Sequence, residues 1–123
     1  MIRIEIRTVP GLNAREHWRA RARRVKAERA ATAWMLKGAP RPQVPCTVLL
    51  TRVAPSAGVD DDNLSGALKA VRDQVAEWLG VDDKDRQRVR YAYAQRRGPW
   101  AVEIQFGAMT AEAEFQPLAA VPA

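Results

Sequence analysis

Isoleucines at Ile2, Ile4 and Ile6 alternate with Arg3, Glu5 and Arg7, which predicts a half-buried strand from Ile2 to Thr8. Val9-Pro10-Gly11-Leu12 ends it, and Asn13 is placed to cap a helix. That helix is predicted from Ala14 to about Lys37, closed by Gly38, Pro40 and Pro42. Trp18, Ala22, Val25, Ala33 and Leu36 fall at helical spacing and are its expected core face. Val44 to Ala54 is apolar nearly throughout, the pattern of an interior strand covered on both faces. A second helix is predicted from about Asp62 to Leu79, with Leu64, Leu68, Val71, Val75 and Trp78 as its buried stripe and Gly80 as its cap. Alternation returns from Arg88 to Gln95, with Val89, Tyr91 and Tyr93 inward. It returns again through Trp100, Val102, Ile104 and Phe106, after a connection at Arg96 to Pro99 that suits a hairpin. The order is strand, helix, strand, helix, strand, strand. The simplest arrangement is an α+β domain, a small mixed sheet of about four strands with two helices packed on one face.

The 123 residues suit one domain, expected to span residues 1–107. A loosely docked tail is expected from 108 to 123, with Phe115 and Leu118 as anchors. A core of this size also gains from dimerisation. No apolar run approaches the length of a membrane span, and the N-terminus does not read as a signal peptide. Cys46 is the lone cysteine and His17 the lone histidine. Disulfides, thiolate zinc sites and histidine-pair chemistry are therefore set aside, and a cytosolic setting is expected.

The net charge of +6 changes the picture, because the basic residues are not spread evenly. Arg15, Arg19, Arg23 and Lys26 share one stripe of the first predicted helix, with Arg21, Arg24 and Arg29 close by and few acids for i,i+4 pairing. Such a stripe is a natural phosphate contact through counterion release; the plainer alternative is a solvated face. The acids gather elsewhere, in the run Asp60-Asp61-Asp62-Asn63-Leu64, followed by Lys69, Asp73 and Asp82-Asp83. Two carboxylates about 4 Å apart repel by roughly 4 kcal/mol at an effective dielectric near 20, so a fold keeps three together only with water, bases or a cation to offset the repulsion. A calcium loop is excluded, because Leu64 and Ser65 stand where an oxygen ligand and glycine are needed. If the backbone there is extended, Asp60 and Asp62 point one way and Asp61 the other, which nominates Asp60 and Asp62 as ligands. Magnesium held by one or two carboxylates activates water and neutralises phosphate charge, and a nearby lysine steadies the phosphate. The alternative is that the aspartates only cap a helix.

The Asp60 to Leu64 run, the lysine and aspartate on the next helix and the Asp-Asp turn before a strand together resemble the signature of RusA-type Holliday junction resolvases of bacteria and their phages. The order and approximate spacing extend from about Ile2 to Phe106, and the Pro10 to Asn13 turn is similar to one near that family's N-terminus. The resemblance implies a homodimeric endonuclease that nicks four-way DNA junctions symmetrically with Mg2+ (Mn2+ as a substitute). It implies no small-molecule cofactor and a place in the cytoplasm of a bacterial or phage-infected cell. It carries metal roles onto Asp60, Asp62 and Asp83 and an essential basic role onto Lys69, with Asp73, Asp82 and Asn13 secondary. Better-known members place the lysine about one turn earlier, where Gly66 stands here on the same helix edge.

A straight helix from Asp62 to Leu79 is about 25 Å long, which separates Asp83 from Asp62 within one subunit. Antiparallel second helices across a two-fold axis bring them together, so sites shared between subunits are expected. Two rival readings stand beside the resolvase: a non-catalytic junction- or DNA-binding module, and a nuclease of the same fold acting on flaps or forks.

Overall fold

The computed structural model describes residues 1–9 and 17–109, together with the strand pair Gln116–Pro117. The elements are β1 (Ile2–Ile4), α1 (Trp18–Leu36), β2 (Cys46–Ala54), α2 (Asp61–Ala67), α3 (Lys69–Leu79), β3 (Val89–Arg97), β4 (Ala101–Ala108) and β5 (Gln116–Pro117). The expected α+β class and mixed sheet are present, with three helices rather than two among the described residues. The main sheet order is β1-β4-β2-β3, and β5 pairs with β4.

The strand with the most continuous apolar run takes the centre. β2 pairs in parallel with β3, from Cys46 opposite Val89 to Ala54 opposite Arg97, and antiparallel with β4 along its other edge. The expected hairpin between the last two strands is thereby corrected: β3 and β4 flank β2 instead of pairing with each other. Gly98 to Trp100 carries the chain across the end of β2. The Gly98 N–H donates to the Ala54 carbonyl at 3.0 Å, and a Cβ on Gly98 would stand 2.9 Å from Val53 Cγ1. This crossing also explains why β1 is shorter than its alternation predicts. Among the described residues β1 pairs only with β4, and its register ends at Ile4 opposite Val102, just before β4 runs out.

The core lies on one face of the sheet. Val48, Leu50, Val102 and Ile104 are fully buried against Leu36, Leu68, Val71 and Val75 from the helices. β2 is interior by its place in the sheet rather than by cover on both faces: Thr47, Leu49 and Thr51, on the opposite face, are only half-buried. Glu103 on that outer face is buried between Arg96 and Arg3, the latter at 3.0 Å.

The second predicted helix is broken at Leu68 (φ −101°, ψ 2°), whose N–H is shared between the carbonyls of Leu64 and Ser65. Ser65 and Gly66 precede the break, and the Ser65 hydroxyl donates to the Asp62 carbonyl, the kind of local competition that kinks helices. Its buried stripe is as expected, with Trp78 half-buried, and Gly80 closes α3 in the left-handed region (φ 71°). α1 departs further. Trp18 is 67% exposed and Ala22 is also exposed; the inward row is Glu28, Thr32 and Leu36, at i+4 spacing. Glu28 is paired with Arg24 at 2.6 Å, and the Thr32 hydroxyl donates to the Glu28 carbonyl. Alanines around much of α1 leave its apolar pattern too weak to choose a face, so Arg29, bonded to Gln74 and Glu77 of α3, does part of that work. Ala108 belongs to β4, one residue past the expected domain end, while Phe115 and Leu118 lie outside the described residues. Among the described residues no helix is long and apolar enough to cross a membrane.

Two consequences are measurable. Gly98→Ala forces its new methyl against Val53 and is expected to lower unfolding stability in urea by about 1–3 kcal/mol, the usual range for overpacking. The Arg96 hydrogen bond, followed by Arg3, holds the Glu103 carboxyl below its ordinary pKa despite burial. Its stabilisation is therefore complete above the unfolded carboxylate range and lost as pH falls through the depressed folded value. The stability gap between wild type and Glu103→Gln is expected to be widest above about pH 5 and to close on acidification below about pH 4.

Candidate metal and nucleic-acid site

The acidic run is delivered from the carboxyl end of β2, where a side chain takes the place of a strand neighbour. Gln95 on β3 donates from Nε2 to the Val59 carbonyl at 2.7 Å and accepts the Val59 N–H on Oε1 at 2.9 Å. Gly58 makes this approach feasible, because a Cβ there would lie 2.8 Å from Gln95 Oε1. The amide clamp fixes the direction in which the chain turns into α2.

Asp60 is the N-cap of α2, with extended backbone (φ −69°, ψ 168°). Its Oδ1 accepts from the Asn63 N–H at 2.9 Å and from Asn63 Nδ2 at 2.8 Å, so the buried Asn63 is tied to the cap. Asp61 and Asp62 already belong to the first turn of the helix, and all three aspartates are exposed. The alternation that set Asp61 apart from Asp60 and Asp62 is thus replaced by helical geometry, about 100° per residue, because extension ends at the cap. None of the three is in an ion pair with a described Lys or Arg.

A second group forms along α3 and the turn beyond it. Lys69 Nζ binds Asp73 Oδ2 at 2.7 Å. Arg72 sits between carboxylates, 3.6 Å from Asp73 and 3.4 Å from Asp83, and donates from Nη1 to the Tyr93 hydroxyl at 3.2 Å. Burial pulls the Arg72 pKa down, but the Tyr93 hydrogen bond and the Asp73 and Asp83 carboxylates outweigh it and raise it above its ordinary value. Asp82 accepts the Lys84 N–H at 2.9 Å and shapes the turn, while Asp83 is turned toward α3. Lys69, Asp73, Asp82 and Asp83 line one open cavity of about 560 Å³. A neighbouring cavity of about 490 Å³ is lined by Arg72, Asp83, Tyr91 and Tyr93 among others. Two buried polar atoms belong to residues lining this second cavity and have no hydrogen-bond partner among the described residues: the Tyr91 hydroxyl and Arg72 Nε. Burial, then the nearby Asp83, pushes the Tyr91 hydroxyl far above its ordinary pKa.

Lys69, Asp73 and Asp83 are therefore brought together, while Asp60 and Asp62 stand at the start of α2 and line neither cavity. Among the described residues, no three His, Cys, Asp or Glu side chains gather as a ready metal cage. The expected straight helix is corrected by the break at Leu68. The turn also folds back far enough for Asp83 to reach Arg72, which lies in the first half of α3. Arg19, Arg23 and Lys26 are exposed on α1, Arg19 with its guanidinium 5.0 Å from the Trp18 ring centre; Asn13 and Arg15 lie outside the described residues. Sequence reasoning missed Arg72 and Gln95, and named Asn63 only as part of the acidic run. Only Asn63 had a signal, an amide three residues beyond a capping aspartate.

Compared with protein-family models, with curated proteins and with solved structures, the chain matches none. The cap and the exposed acids separate cleanly by mutation. Asp60→Ala is expected to lower stability by about 0.5–2 kcal/mol through loss of the cap. Asp62→Asn is expected to stay within about 0.5 kcal/mol of wild type, both read from urea denaturation.

Proposed function

We propose that this chain is a divalent-metal-dependent, structure-selective DNA endonuclease that acts as a homodimer on four-way junctions. The observation that carries the reading is the exposed run Asp60 to Asp62. It lacks an ion-pair partner among the described residues although the chain is strongly basic overall. A fold that places three like charges at one turn and withholds its many arginines from them leaves their charge for a cation. The resemblance of Asp60 to Leu64, Lys69, Asp73 and Asp82-Asp83 to the RusA-type resolvases supports the same reading.

The donor set fits Mg2+ or Mn2+. Such ions take one or two carboxylates and keep several waters, and the side-chain carboxylates of Asp61 and Asp62 and the second carboxylate oxygen of Asp60 carry no hydrogen bond among the described residues. A bound ion would supply an acidified water and neutralise charge on the phosphate. Lys69, exposed and braced by Asp73, reaches for a phosphate oxygen. Asp83 enters either by exchange away from Arg72 or as Asp83 of the partner subunit. The exposed Arg19, Arg23 and Lys26 supply backbone contacts, which suits recognition by shape. The cap bonds of Asp60 favour one rival, a non-catalytic DNA-binding module in which the run only starts a helix.

The decisive assay incubates the protein with a labelled synthetic four-way junction and Mg2+ or Mn2+. Paired symmetric nicks are expected, abolished in Asp62→Asn with junction binding retained. Binding without cutting under either ion overturns the nuclease, and preference for flaps or forks overturns the junction as substrate. Arg19→Ala and Arg23→Ala are each expected to weaken binding across sequences and to reduce the slope of log K against log salt by about 1, measured by anisotropy.

A further inference from the structure

At the carboxyl end of β2 and β3 the sheet buries an arginine that no carboxylate among the described residues neutralises. Arg52 is only 3% exposed, inside the row of side chains that includes Leu50. Its Nε donates to the Thr8 hydroxyl at 3.0 Å, and its guanidinium carbon lies 5.5 Å from the Trp100 ring centre. Its two terminal nitrogens carry no hydrogen bond among the described residues. Arg7 approaches the same indole at 5.2 Å, so two guanidinium groups share one ring. Glu103 is not available to either, because it lies on the opposite face and is held by Arg3 and Arg96.

Arg52 lines a cavity of about 170 Å³ together with Ser56, Gly58, Gln95, Arg96 and Arg97. Arg97 is exposed and has no ion pair among the described residues. At roughly 30 Å³ per water the space holds about six waters, or one tetrahedral oxyanion with a partial shell. Burying a guanidinium on neutral partners alone is unfavourable, and gathering others beside it adds repulsion; an oxyanion relieves both. Desolvation lowers the pKa of Arg52, as an unmatched buried cation requires. Gly58 lies two residues before Asp60, and Gln95 clamps Val59 between them, so the cavity and the acidic run are successive parts of one loop.

We propose that this cavity is a phosphate-binding subsite, in which Arg52, Arg97 and the Ser56 hydroxyl hold a backbone phosphodiester next to the one presented to the acidic run. The anion-binding part stands on the cavity alone; the identity of the occupant as DNA backbone rests on the nuclease reading above.

The test titrates inorganic phosphate into the ¹⁵N-labelled 123-residue chain at constant ionic strength, following the Arg52 Nε–H, the Trp100 indole N–H and the Ser56 amide. Saturable shifts at all three are expected, with affinity lower by about tenfold in Arg97→Gln, the loss of one charge-assisted hydrogen bond. Arg52→Lys retains charge for folding but not the planar fork, and is expected to weaken phosphate to a similar degree. No shift in wild type, or equal affinity in wild type and Arg97→Gln, overturns the subsite. A second arm measures junction binding in Ca2+: Arg97→Gln is expected to lower affinity and reduce the salt slope by about 1. Phosphate shifts with unchanged junction binding overturn the DNA assignment and leave a site for free phosphate. A wild type that binds phosphate but neither binds nor cuts junctions overturns the nuclease reading instead.

Discussion

Two hydrogen bonds between the Gln95 side-chain amide and the backbone of Val59 hold the point from which everything proposed for this chain proceeds. They tie the chain that follows β2 back onto a residue of β3 and decide where three aspartates emerge. The clamp needs a glycine at position 58, and it needs β3 parallel and in register with β2, so that Gln95 lies opposite Arg52. That register follows from β2 holding the centre of the sheet. Topology, register and one amide thus converge on the loop that carries the acids.

Charge is sorted with unusual consequence around that loop. Many basic side chains elsewhere are committed: Arg24 to Glu28, Arg29 to Glu77, Arg72 to Asp73 and Asp83, Arg88 to Asp85, and Arg3 and Arg96 to Glu103. The acids of the run and the arginines Arg7, Arg52 and Arg97 have no partner of opposite sign among the described residues. The arginines Arg52 and Arg97 stand at the carboxyl ends of β2 and β3 and the acids at the start of α2, without pairing with each other. On the proposed reading, carboxylates and guanidinium groups that do not neutralise one another would suit a phosphodiester and its counterion better than either alone.

How much of this was legible in the sequence depended on whether a residue's role was local. The sheet alternation, the buried stripe of α3 and the Gly80 cap follow from period and cap chemistry, and those positions stand as expected. The Lys69–Asp73 pair follows from i,i+4 spacing. Partner choice between strands is not local, so the last two strands looked like a hairpin when β2 in fact separates them. An alanine-rich helix carries too little apolar asymmetry to choose its face, which is how Glu28 and Thr32 came to be buried where Trp18 and Ala22 were expected. Leu68 reads as part of a continuous helix because its side chain fits the stripe; only the local competition from Ser65 marks the break. Arg52 and Gln95 lie at the polar ends of apolar strands, and nothing in their neighbours distinguishes them from ordinary strand termini.

Metal-dependent chemistry at this loop requires that the exposed aspartates gather a divalent cation in solution. Paramagnetic Mn2+ at substoichiometric amounts, added to ¹⁵N-labelled protein, reads this without requiring DNA or catalysis. Selective broadening of the amides from Asp60 to Leu64, removed by excess Mg2+ and absent in Asp62→Asn, is the predicted result. Broadening confined to other carboxylates, or none at all, would contradict it.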